Sequence, residues 1–92
     1  METTGQLKVK EQTQKVNEKF QKRDFVITTD AGTPYPQQIS FQITQDKCAL
    51  LDKFDVGDEL KVNFNLRGRE WSGAEGTKFF NTLEAWRVEK LS

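Results

Sequence analysis

DKCALLDKFDVGDELKVNFNLRGREW, residues 46–71, holds two different periodicities on either side of one turn. Up to Phe54 the residues are good helix formers. Leu50 and Phe54 lie four apart with Leu51 beside them, a narrow apolar stripe for a short helix. Asp46 stands where an N-cap belongs. Asp55-Val56-Gly57-Asp58 is a turn signal. From Leu60 the period drops to two: Leu60, Val62, Phe64 and Leu66 face one way, and Lys61, Asn63, Asn65, Arg67 and Arg69 the other. A lone short helix feeding a long amphipathic strand restricts the fold once the remaining segments are placed.

Outward from this stretch, alternation dominates. Leu7 and Val9 alternate with Gln6, Lys8 and Lys10. Phe25–Thr29 is rich in β-branched residues and stops at Asp30-Ala31-Gly32. Ile39, Phe41 and Ile43 alternate with Ser40, Gln42 and Thr44. Residues 12–23 are polar and read best as two strands joined by a hairpin, because Thr13, Val16 and Asn17 are poor helix formers. Residues 79–91 form a last long strand with a bulge, since neither face is wholly apolar. The order is three strands, a helix, then two strands. It predicts an all-β fold: a five-stranded OB-fold Greek-key barrel with one short helix between strands 3 and 4. An SH3-like barrel lacks a full helix at that position. The 92 residues predict one domain, 1–92.

Composition removes several function classes. There is no histidine and only one cysteine, Cys48. The usual general base, a Cys–His pair and the usual zinc ligand sets are therefore missing. The expectation is a non-enzymatic chain without metal or cofactor. No run of about 18 apolar residues predicts a membrane span. Residues 1–12 lack the apolar centre of a secretory signal. With its lone cysteine the chain reads as cytoplasmic. Net charge is zero but unevenly spread. Residues 1–23 carry six Lys/Arg against three Glu, residues 24–59 two Lys against seven Asp/Glu, and residues 60–92 six Lys/Arg against four Glu. An overall basic footprint is absent, so any polyanion must meet a local stripe.

That stripe is sought at the last hairpin. Arg67 and Arg69 leave one strand face about 7 Å apart, a spacing suited to successive phosphates. Trp71 stands at the hairpin mouth as a base-stacking platform or a cap on the barrel end. Lys78 is a phosphate contact or a solvated charge. Phe79 and Phe80 are adjacent, so they point to opposite sides and one must leave the interior. Tyr35, between Pro34 and Pro36, is a stiffened loop aromatic, a nucleic-acid contact or a cover on the barrel mouth. Arg23, at the start of the second strand, is the favoured phosphate contact of the first half. Trp86, beside Val88, is assigned to packing, as are Phe41 and Phe64. The acids Asp52, Asp55, Asp58 and Glu59 should face away from a nucleic acid.

Residues 46–91, with Gly57-Asp58, Arg67, Arg69, Trp71, Gly76, Lys78 and Phe80, resemble the second half of bacterial single-stranded-DNA-binding proteins. The whole chain resembles a small stand-alone OB-fold family of unknown function, through LRGREW and KFFNTLEAWRVE. The resemblance implies sequence-tolerant single-stranded nucleic-acid binding, with DNA ahead of RNA. With few cations one domain should bind weakly, so a homo-oligomer is expected, which adds sites and which exposed edge strands make easy. The departures are an acidic middle and a first half without the basic and aromatic residues usual on a DNA-binding sheet. The alternative is a protein-interaction or oligomerisation barrel that uses the same aromatics and binds no nucleic acid. Composition does not separate the two, since both surfaces favour arginine and aromatic residues.

Overall fold

A computed structural model describes residues 1–30 and 32–91. Among the described residues there are six strands: β1 Glu2–Lys10, β2 Gln14–Asn17, β3 Phe20–Thr29, β4 Gln37–Thr44, β5 Glu59–Gly73 and β6 Gly76–Lys90. A 3-10 helix, Gln45–Lys53, separates β4 from β5. β1 is shared between two neighbours. Its first half pairs with β5 (Glu2↔Asn63 to Gln6↔Glu59), and its second half with β3 (Gln6↔Thr28 to Lys10↔Phe25). β3 pairs with β4, β5 with β6, and a parallel contact at Gln42↔Glu84 joins β4 to β6. These pairings close a ring of five strands, the OB-fold barrel. The short β2 is added to the free edge of β3, so the polar segment 12–23 does form a hairpin.

β1 changes partners at Gln6, and a bulge between Leu7 and Val9 follows in its pairing with β3. Nearby the backbones crowd. A Cβ at Gly5 would stand 2.6 Å from the Thr28 carbonyl oxygen and 3.1 Å from an Ile27 methyl. Gly5→Ala therefore forces a backbone shift where β1 meets two strands. It should lower the unfolding free energy by about 2 kcal/mol in urea titration; an unchanged midpoint would refute the crowding argument.

The alternating residues converge on one core. Leu7, Phe25, Ile27, Phe41, Ile43, Leu60 and Val62 are each at most 1% exposed. The Phe25 and Phe41 rings stack at 5.3 Å between centroids, and Phe41 meets Phe64 edge-on at 5.2 Å. The helix closes the barrel with Cys48, Leu51 and Phe54, three residues apart each time. That spacing is the period of a 3-10 helix, in which i and i+3 eclipse. The expected i, i+4 stripe is thus corrected, and Leu50 is only partly buried. Asp46 is not the N-cap: Thr44 holds that place in extended conformation, and Asp46 lies in the first turn. At the other end Lys10 Nζ donates to the Phe54 carbonyl at 2.7 Å, satisfying an acceptor that the helix leaves open. Burial pushes the Cys48 thiol above its usual pKa.

Beyond Phe64 the β5–β6 ladder leaves the barrel. Residues 65–81 are exposed throughout, although they remain paired from Asn65↔Glu84 to Gly73↔Gly76. The result is a two-stranded arm roughly 30 Å long, at about 3.3 Å per residue. Ala74 and Glu75 turn it, and Gly76 takes the left-handed position with φ of 115°. The expected β6 bulge is there: Asn63 pairs with Arg87 and Phe64 with Ala85, so Trp86 is the extra residue. Trp86 is 42% exposed rather than packed.

Candidate nucleic-acid interface

Residues opposite one another in an antiparallel ladder share a face. The register Arg67↔Thr82, Arg69↔Phe80 and Trp71↔Lys78 therefore gathers Arg67, Arg69, Trp71, Lys78 and Phe80 on one side of the arm. Five of the eight residues singled out in the sequence thus come together. Trp71 and Phe80 are about half exposed. The Trp71 indole lies along the arm over Gly73, where a Cβ would overlap the ring. Glycine there leaves the indole a flat seat.

This side of the arm is one wall of an open groove of about 540 Å³. The opposite wall is the β2–β3 hairpin, through Val16, Phe20 and Lys22. Gln42, Thr82 and Glu84 lie between the walls, where β4 and β6 meet. Phe20 also borders a smaller hollow lined by Lys15, Glu18 and Lys19. Arg67 Nε lies 3.5 Å from a Glu84 carboxylate oxygen. Arg69, Lys22 and Lys78 make no ion pair among the described residues. Asp52, Asp55, Asp58 and Glu59 are not among the residues lining the groove, and Glu84 is its one carboxylate among the described residues. None of the described residues form a group of three or more His, Cys, Asp or Glu placed to hold a metal.

Three sequence candidates fall elsewhere. Arg23 is corrected: it is buried, not a surface cation. Its Nε donates to the Glu11 carbonyl at 2.7 Å, and its Nη1 to the Cys48 carbonyl at 3.0 Å and to Asp52 Oδ1 at 2.8 Å. Arg23 shares the inward side of β3 with Phe25 and Ile27, so the cation offered to the groove is its neighbour Lys22. Tyr35 is 79% exposed, but in the loop at the far end of the β3–β4 hairpin. About five residues, roughly 17 Å, separate Gln37 from Gln42 in the groove. Phe79 and Phe80 are both exposed, at 74% and 53%. Phe79 lies opposite Glu70 on the reverse face of the arm. Leu66, expected inside, is 58% exposed on that same face, because the barrel has ended before it. Phe20, Lys22, Gln42 and Glu84 are among the groove residues missed. The two-residue period of β3 and β4 places Phe20, Lys22 and Gln42 outward; nothing in it places those strands beside the arm.

The groove follows the face through which OB-folds take oligonucleotides and oligosaccharides, on the second and third barrel strands with their flanking hairpins. The chain belongs to the family described as a domain of unknown function (DUF3127), which it matches over residues 2–89. No curated protein matches the sequence. Its fold is similar to that of the mitochondrial single-stranded-DNA-binding protein Rim1 of S. cerevisiae. The TM-score is 0.72 at 10% identity, over 99% of this chain and 92% of that one. It is also similar to the SSB of Plasmodium falciparum, solved as a complex with single-stranded DNA. That TM-score is 0.66 at 16% identity, over 100% of this chain and 93% of that one.

Proposed function

We propose that the chain is a cytoplasmic single-stranded-DNA-binding module that acts by binding and not by catalysis. The observation that carries this reading is the shared face of Arg67, Arg69, Trp71 and Phe80, opened into a groove whose far wall adds Lys22. Flat rings stack bases of any kind, and the cations follow the backbone. Similarity in fold to proteins named for binding single-stranded DNA supports the same choice of ligand. With few cations a single groove binds weakly, and a homo-oligomer would strengthen it by adding grooves. The reverse face of the arm, with Leu66 and Phe79 exposed, is where a second copy would pair without closing the groove. The same exposure favours the second reading, an interaction barrel that binds no nucleic acid.

Titration with labelled oligo-dT separates the two. Tryptophan fluorescence should be quenched, and less so as salt rises. Replacing Arg67 and Arg69 by alanine should flatten the slope of log affinity against log salt by about 0.7 for each phosphate that is no longer neutralised. Absence of quenching at low salt, together with a stable oligomer in light scattering, would select the interaction barrel.

A further inference from the structure

Stacking and phosphate neutralisation leave the middle of the groove unexplained. β4 and β6 touch there at the Gln42↔Glu84 pair, and both residues line the groove. A carboxylate on the path of a polyanion repels it. One account is that Glu84 only holds Arg67 in place. The geometry does not favour it: the separation is 3.5 Å, to Nε, with the Arg67 side chain 62% exposed and Glu84 35% exposed. Pairs of this kind hold an arginine weakly. Glu84 makes no other ion pair among the described residues.

A carboxylate accepts hydrogen bonds and donates none when ionised. A nucleobase placed against it must therefore present N–H groups. Guanine presents two side by side on its Watson–Crick edge, N1–H and the N2 amino group, matched to the two oxygens of one carboxylate. Its O6, next to them, accepts from an amide or a guanidinium, and the Gln42 carboxamide and Arg67 are the donors at hand. Adenine and cytosine offer one amino group each. Thymine offers a single N3–H flanked by two carbonyl oxygens, which a carboxylate repels. Glu84 lies four residues from Phe80 on the same side of β6, about 13 Å at about 3.3 Å per residue. It therefore meets a different nucleotide from the one stacked on that ring.

We propose that Glu84 and Gln42 form a base-edge subsite that favours guanine over thymine, so the groove discriminates at one position along a bound single strand. The inference rests on the single-strand binding proposed above. It is tested by fluorescence titration with two DNA strands of about 12 nucleotides. One is all thymine, and the other carries isolated guanines too sparse to self-associate. The guanine-bearing strand should bind about tenfold tighter. In Glu84→Gln the all-thymine strand should bind tighter than it does to the unaltered protein, since the repelling charge is gone. The preference for guanine should shrink below about twofold. Gln42→Ala should reduce the preference in the same direction. Equal affinity of the unaltered protein for both strands, or a preference that survives in Glu84→Gln, overturns the subsite and leaves single-strand binding standing. Failure of both strands to bind the unaltered protein overturns the two together.

Discussion

Changing Trp71 and Phe80 together to alanine should lower the proposed affinity for oligo-dT about a hundredfold, at two stacked bases and about 1–3 kcal/mol per base. The thermal midpoint should hardly move. Both rings are about half exposed on an arm outside the barrel, and neither belongs to the buried core. The loss is therefore one of binding, readable at protein concentrations where the variant is fully folded. Phe79→Ala supplies the comparison. Its ring is larger in exposed fraction than that of Phe80 but sits on the reverse face, opposite Glu70. If the groove is the binding surface, Phe79→Ala keeps the affinity within about twofold, as surface substitutions away from a site do. Equal losses from the two phenylalanines would mean that the strand wraps the arm, or that the arm is an interface between proteins and the groove is idle.

The alternation of β5 shows why so much of this surface was legible. Period two assigns a side to every residue, and in the last hairpin the two-residue turn fixes which residues of β6 share the side of Arg67, Arg69 and Trp71. Side is not burial, however. Leu66 continues the inward row of Leu60, Val62 and Phe64, yet it is exposed because no other strand accompanies the arm that far. The same end of the barrel exposes Phe79 and Phe80 alike. The helix shows a different limit. Its segment carries both an i, i+4 pair, Leu50 and Phe54, and an i, i+3 row, Cys48, Leu51 and Phe54. Only packing against the barrel selects the second. The far wall of the groove was out of reach for a third reason. Lys22 is far from Arg67 in the chain, and their approach follows from ring closure rather than from either local pattern.

Arg23→Met should lower the unfolding free energy by about 3 kcal/mol while leaving affinity per folded molecule unchanged. The guanidinium ties β3 to two other segments: the chain after β1 through the Glu11 carbonyl, and the helix through the Cys48 carbonyl and Asp52. Hydrogen bonds to a charged group contribute about 1.5–3 kcal/mol, and a buried carbonyl left without a donor costs about 1–3 kcal/mol. Loss of the Asp52 partner adds little, since that side chain is 71% exposed and is rehydrated at once. Methionine keeps most of the volume, so the change reads the lost donors rather than a cavity. For a chain of this size the midpoint should fall by roughly 15 °C. Lys22→Ala, one residue earlier, should do the opposite. It leaves the midpoint in place and weakens the binding of oligo-dT, because its side chain lines the groove while that of Arg23 ties the barrel to its helix. The pair of variants separates fold from site on two adjacent residues. If the results were exchanged, with Arg23→Met stable but poor at binding, the inward placement of Arg23 would be wrong, and the phosphate path would run along the other face of β3.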